Sequence, residues 1–346
     1  MNKSTLHEAL GRKTKVHISR SNWFRALSLW ILLLAALMVP KVLQAQWQVT
    51  VGAETGNQGG QALAFLPNEI WIHVGDDITW TFNAGEIHTV TFLTADQVRP
   101  AFADGCPGFT ASPASFDGST CLTTPPLVKG AIFNVTFPKV GNYKLVCLVH
   151  ENMTGTVHVL GLDQPLPHDQ AFYDRQAADQ RQALLSDTDG NHNGEHHQDC
   201  DHFAAHLVIA GRGETSATAG GAEGSTVLRF KNDKITIKAG QTVEWNNEDP
   251  VTPHTVTFGM EPANLMVPSG NVTVDPDGAV HGTISSMGEN LHSGFIIAAP
   301  QERLGIPQAP LGNTRFRVTF KNPGTFNYIC ALHDDLGMTG MVIAYP

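Results

Sequence analysis

Cys330 is followed by His333 three residues on and by Met338 eight residues on, in the run Phe326-Asn327-Tyr328-Ile329-Cys330-Ala331-Leu332-His333-Asp334-Asp335-Leu336-Gly337-Met338. A thiolate, an imidazole and a thioether at that spacing are three of the four ligands of a blue-copper site, because soft sulfur and imidazole donors suit Cu(I) and Cu(II) alike. The fourth ligand is a histidine from another strand, and His254 in Pro253-His254-Thr255-Val256-Thr257-Phe258 is the candidate. The constellation occurs twice. Cys147 is followed by His150 and Met153, and His88 stands upstream in His88-Thr89-Val90-Thr91-Phe92. The two ligand loops differ in length, Cys-x2-His-x2-Met against Cys-x2-His-x4-Met. Met341 also follows the second loop, but Met338-Thr339-Gly340 matches Met153-Thr154-Gly155, so Met338 is the expected ligand. Ordinary core Cys, His and Met residues would have to fall in this order twice.

The elements that must position these ligands are duplicated as well. Phe133-Asn134-Val135-Thr136-Phe137 leads to Cys147 over the same distance as Phe316-Arg317-Val318-Thr319-Phe320 leads to Cys330. Upstream, Gly75 and Trp80 follow Ile70 at the spacing by which Gly240 and Trp245 follow Ile235. Glycine suits a turn needing positive φ, and the tryptophan suits the interior of a sandwich. The candidate histidine arrives one residue later in the second copy, within the loop. Agreement over three separate segments marks an internal duplication.

These residues resemble the cupredoxins, the plastocyanin-like blue copper proteins. The resemblance implies an all-β chain of two tandem Greek-key β-sandwiches, residues 46–161 and 204–346, joined by a His/Asp-rich linker over 162–203. It implies two type 1 copper sites, His88, Cys147, His150 and Met153 in the first and His254, Cys330, His333 and Met338 in the second. It also implies that His150 and His333 show their ring edges to solvent and serve as points of electron entry.

Composition agrees with that class. The chain of 346 residues is too long for one small sandwich and suits two domains with insertions. Its 33 glycines, 20 prolines and alternating Val, Thr and Phe favour strands and turns. Residues 1–45 read as an export signal: basic residues through Arg25 precede a charge-free run from Ala26 to Pro40, and Val42-Leu43-Gln44-Ala45 ends in a small residue. Fifteen residues of helix span roughly 22 Å, short of the roughly 30 Å hydrocarbon core, so a cleaved signal is expected and a membrane span in the mature protein is not. An uncleaved anchor is the alternative. Either way the folded part lies in the periplasm or is secreted. Without those residues 15 basic and 31 acidic side chains remain, a net charge of −16. Such a surface argues against nucleic acid and anionic membrane as partners.

Each copy carries its own insertion between the upstream histidine and the cysteine strand. In the first, Cys106 and Cys121 lie in a Gly/Ser/Pro/Thr-rich stretch and are expected to form a disulfide, worth roughly 3 kcal/mol by chain entropy. The second holds His281 and His292, expected to be solvated and without a role. The linker has a helix-compatible stretch near Gln170–Leu185, and its forty-odd residues would reach about 35 Å if fully flexible. It also holds His192, His196, His197, Cys200 and His202, with His206 just beyond, a set able to capture Cu or Zn weakly. A polar exposed spacer is the plainer explanation. Cys200, the odd fifth cysteine, is a free thiol or an intermolecular link.

Three functional classes compete: an exported electron carrier serving redox protein partners, a copper buffer or delivery protein, and a two-domain oxidase or nitrite reductase. Copper nitrite reductases place a ligand histidine of a second centre directly beside the blue-site cysteine, whereas Val146 and Leu148 flank Cys147, and Ile329 and Ala331 flank Cys330. Laccases need His-x-His pairs, and none occurs in the sequence. The expectation is an electron carrier, not an enzyme. Deleting residues 190–202 is expected to lower total copper or zinc uptake while leaving the blue colour intact. Unchanged metal stoichiometry under excess metal would return the stretch to a spacer.

Overall fold

In the computed structural model, which describes residues 45–100, 106–186, 188, 206–298 and 314–346, the alternation at the start of the first copy becomes strand Gln46–Glu54. Trp47, Val49 and Val51 point into the core, and Gln46 and Gln48 point out. Beside it lie Gly60–Leu66 on one flank and Asp77–Phe82, Ile132–Thr136 and Ala114–Ser115 on the other. The second copy repeats this layer with Ala222–Lys231, Leu207–Ala217, Thr242–Glu248 and Arg315–Phe320, extended by Val280–Ile284 and Val272–Val274. Each copy covers its layer with a separate five-stranded sheet. Glu69–His73, Thr154–Leu160, Gly141–Val146, Thr91–Phe92 and Leu122–Thr123 form the first. Lys234–Lys238, Thr339–Tyr345, Gly324–Ile329, Thr257–Phe258 and Leu291–His292 form the second, in the same order. The all-β, duplicated architecture expected from the sequence is what the chain adopts.

The two copies are not beads on a tether. Their edge strands Gly60–Leu66 and Ala222–Lys231 pair antiparallel, fusing both inner layers into one eleven-stranded sheet. Leu63 and Phe65 correspond to Leu228 and Phe230 in the duplication, which makes Thr226 the counterpart of Gln61. The register pairs Thr226 with Gln61, flanked by Ser225 with Ala62 and Val227 with Gly60. Each residue therefore faces the counterpart of its own neighbourhood, and a local twofold relates the copies at the seam. The helix Gln170–Ser186, the one helix among the described residues, straps this seam. Tyr173 is buried with its hydroxyl accepting from Trp71 N at 3.0 Å, and Leu184 packs with Ala62, Ala64 and Leu66. Gln180 Nε2 reaches Asn68 Oδ1 of the first copy and Glu223 Oε2 of the second, both at 3.4 Å. This stretch of the linker is docked, so the free-chain reach does not apply to it.

Each sandwich is centred on its predicted tryptophan. Trp80 meets Phe65 and Phe92 edge-on, and Trp245 meets Phe258 and Tyr328 edge-on, an arrangement the ring quadrupole favours. Gly75 and Gly240 both turn at φ +92°, a conformation that costs glycine nothing. Cys106 and Cys121 form the expected disulfide. The second insertion departs from expectation. His292 is buried, its ring held between Thr257 Oγ1 at 2.8 Å and Leu265 O at 3.0 Å, and His281 is half-buried against Asp275 and Thr319. The strands Val280–Ile284 and Leu291–His292 pull both residues out of solvent and into the sheets.

Trp245→Ala is expected to cost the metal-free protein about 3–5 kcal/mol, because the cavity cannot collapse between two rigid sheets. Chemical denaturation checks this; a midpoint unchanged from wild type would show that the aromatic cluster does not hold the second sandwich together.

Candidate metal centres

Strand pairing brings each candidate ligand set together. His88 and His254 sit at short bridges to Leu127 and Ile296, just ahead of Thr91–Phe92 and Thr257–Phe258, which pair with the strands that end at Val146 and Ile329, immediately before Cys147 and Cys330. As a result His88, Cys147 and His150 form one group, and His254, Cys330 and His333 another, with their donor atoms within 4.8 Å of one another and every residue buried. In the first group His150 Nδ1 lies 3.2 Å from His88 Nδ1 and 3.8 Å from Cys147 Sγ. In the second, Cys330 Sγ lies 3.3 Å from His333 Nδ1 and 3.9 Å from His254 Nδ1. Three ligands about 2.0–2.3 Å from one ion stand about 3.5–4 Å apart, so both groups fit a single ion approached through Nδ1, Nδ1 and Sγ.

Met153 and Met338 are buried and close the loops in equivalent ways. Cys147 N donates to Met153 O at 2.9 Å, and Cys330 N donates to Met338 O at 3.0 Å. Met341 instead lies within strand Thr339–Tyr345, its N–H donating to Asp233 O. The two extra residues of the second loop are absorbed by a turn through Gly337 at φ +90°, which seats Leu336 against Gly85 of the first copy.

Several residues that the sequence reading did not single out shape these groups. Thr89 and Thr255 donate backbone N–H to the cysteine sulfurs at 3.4 and 3.3 Å, and their hydroxyls accept from Leu148 N and Ala331 N. The repeated His-Thr-Val-Thr-Phe motif was a signal for them. Gly52 and Gly211 sit at strand bulges with φ +66° and +77°, where a side chain would strike the His88 and His254 rings. Asp249 Oδ2 lies 3.4 Å from His254 Nε2, a carboxylate partner of the kind that fixes ring orientation in metal sites. Arg99 donates to Cys147 O at 2.8 Å, placing a cation beside the first group.

The loop histidines overturn one expectation. His150 and His333 are 1% and 3% exposed, so neither ring edge reaches solvent. Both Nε2 atoms instead face the buried carboxylate of Glu86, which comes from the first copy. The local twofold turns the two loop ends toward each other, and solvent is excluded between them. Electrostatics follow this packing. Burial alone would raise the thiols, but His150 and His88 hold Cys147, and His333 and His254 hold Cys330, well below the usual thiol range. The thiolate is the ligating form. Burial lowers His150, and Cys147 and Glu86 override it to lift the ring to about 9.

Among the linker residues, His192, His196, His197, Cys200 and His202 lie outside the described residues. His206 is described, half-buried, with its carbonyl accepting from Glu244 N at 2.9 Å.

Residues 51–160 match the family described as copper binding proteins, plastocyanin/azurin family. Over 106 residues the chain is 33% identical to a plastocyanin from Ginkgo biloba, covering 30% of this chain and 94% of that protein. A plastocyanin from Mercurialis perennis is 34% identical over 106 residues with the same coverage. Among solved structures, a purple cupredoxin from Nitrosopumilus maritimus is 24% identical, covering 33% of this chain and 99% of that one, at a TM-score of 0.23.

Gly211→Ala is expected to displace His254 and weaken metal binding at the second group by about tenfold or more, leaving the first unchanged. Titrating Co(II) into Cys147→Ser and Cys330→Ser backgrounds, and reading the thiolate-to-metal band, separates the two. Equal affinities with and without the substitution would show that the glycine is not needed to place the ring.

Proposed function

The chain belongs to the copper-binding plastocyanin/azurin family, and on that premise we propose that it is an exported blue copper protein that holds two type 1 coppers and passes electrons between redox protein partners. The observation that carries this reading is the pair of buried donor groups, His88–Cys147–His150 and His254–Cys330–His333. Each belongs to one cupredoxin domain, 46–161 or 204–346, on either side of the linker 162–203. Met153 and Met338, buried at the ends of the same loops, would complete the sets with a thioether each.

When bound, copper supplies a one-electron couple between its cuprous and cupric states. The chain keeps the donors fixed while that charge changes. Two rigid sheets hold one imidazole at a bridge just ahead of a short strand and the other donors on the loop after Val146 or Ile329, and the Thr89 and Thr255 amides draw charge from the sulfurs. A catalytic copper needs an open coordination position for substrate, whereas a His2CysMet set would leave none. Delivery of copper to another protein needs a ligand an acceptor can reach, and every ligand here is buried. Both points favour the carrier over the enzyme and the buffer. Export is supported by the Cys106–Cys121 disulfide, which persists in oxidising compartments. No helix among the described residues is long and apolar enough to cross a membrane.

The oxidised mature protein is expected to bind two coppers per chain and to be strongly blue, and Cys147→Ser and Cys330→Ser are each expected to remove one copper and its charge-transfer band. Metal analysis with visible and EPR spectra tests this; a single variant that keeps both bands would show that its site is misassigned. Nitrite with a reductant, or phenols with oxygen, are expected to give no turnover beyond that of free copper. Sustained turnover abolished by copper removal would overturn the carrier reading.

A further inference from the structure

Glu86 is a buried carboxylate with two imidazoles on it. Its Oε1 lies 3.3 Å from His150 Nε2 and its Oε2 lies 3.3 Å from His333 Nε2, and the carboxylate is almost completely removed from solvent. The contact to His150 is an ion-pair distance whose direction is not that of a hydrogen bond. The two rings come from different copies of the duplication, and their Nδ1 atoms point away from Glu86 into separate donor groups. One side chain therefore touches the outer nitrogen of a candidate ligand in each centre.

We propose that Glu86 is a positioning residue shared by both metal centres, one oxygen orienting His150 and the other orienting His333, so that the two centres form one coupled unit. The proposal rests on the reading of the two groups as metal centres. A ligating imidazole needs a partner on its other nitrogen to fix the ring and the tautomer. His254 has Asp249 for this, while His150 and His333 share Glu86. The second copy supplies no carboxylate of its own at the matching place, since Thr252 stands two residues ahead of His254 where Glu86 stands two ahead of His88. Surrounding packing fixes the bridge in place. Glu54 Oε2 accepts from Gly85 N at 2.7 Å, and Leu336 from the second copy's ligand loop presses on Gly85, immediately before Glu86. Arg229 ties the same loop across the seam, donating to Leu336 O at 2.8 Å and to Asn57 O at 2.5 Å. Any movement of one ligand loop is thus carried to the carboxylate that holds the other.

The test uses Co(II) alone as the probe, on the full mature chain, with Cys330→Ser isolating the first centre and Cys147→Ser the second. Glu86→Gln keeps the shape and removes the charge. It is expected to weaken Co(II) binding about 10–100-fold at both centres, including the second, whose ligands all lie in the other copy. A second readout is the histidine ring-proton spectrum of the zinc-loaded, nitrogen-labelled protein, which a merely structural role would not move. The Nε2–H signals of His150 and His333 are expected downfield and slow to exchange in the wild type, and to shift together in Glu86→Gln. Glu86→Asp, which retains the charge but is one methylene shorter, is expected to return part of the affinity and gives the same readout if Glu86→Gln fails to fold. Weakening at the first centre alone, or at neither, or a shift of one ring signal without the other, would overturn the shared role. A wild-type chain that takes up fewer than two Co(II) would instead defeat the two-centre reading itself, so the two failures are distinguishable.

Discussion

The antiparallel seam between Gly60–Leu66 and Ala222–Lys231 is the constraint from which the rest of the molecule follows. Each strand is the edge of its own half-sheet, and an open edge presents unpaired amides and carbonyls that must be satisfied somewhere. Pairing the two edges satisfies them, and the register chosen, Gln61 opposite Thr226, sets the two copies about a local twofold. A slip of one residue would turn every side chain of one edge to the wrong face. Leu63, Phe65 and Leu228 are fully buried, and Phe230 nearly so, which makes such a slip costly.

Once that seam is fixed, the ligand loops of the two copies approach each other and water is excluded between them. A carboxylate in such a place is destabilising by itself, since a buried charge needs a partner and more than one good contact. Burial pushes the Glu86 carboxyl up, yet His333 and His150 more than offset this and hold it well below its ordinary range. The charge is tolerable only because both rings are present. The same enclosure would raise the thiols of Cys147 and Cys330, and it is the histidines packed against them that hold both low, so protein packing and ligand chemistry are here one problem.

The duplication has not stayed symmetric. The second ligand loop is longer and turns through Gly337; the first centre has Arg99 near its cysteine, and the second has Asp249 behind its upstream histidine. The thiolate environments therefore differ in charge and in hydrogen bonding while the donor sets stay alike, and such surroundings are among the factors that tune a blue-copper potential. The helix Gln170–Ser186 binds across the seam and converts part of the connection from a tether into a strap.

The sequence alone determined the order and spacing of the donors, the two tryptophan-centred sandwiches, the turns at Gly75 and Gly240, the helix in the linker and the Cys106–Cys121 bridge. These are local or repeated features: strand alternation has a period of two, a ligand loop is a few residues long, and a duplication shows each of them twice. What the tertiary structure decided has neither property. Glu86 has no counterpart in the second copy, so no repeat pointed to it, and its partners His150 and His333 lie 64 and 247 residues away in the chain. The same seam turned those two rings inward, against the expectation that they face solvent, and the strands of the second insertion buried His292. Gly52 and Gly211 matter because a histidine ring from a distant segment lies on them. The first two outcomes depend on the register at which two sheet edges meet and the others on strand pairing inside each copy, and both are set by packing between distant parts of the chain rather than by any short stretch of residues.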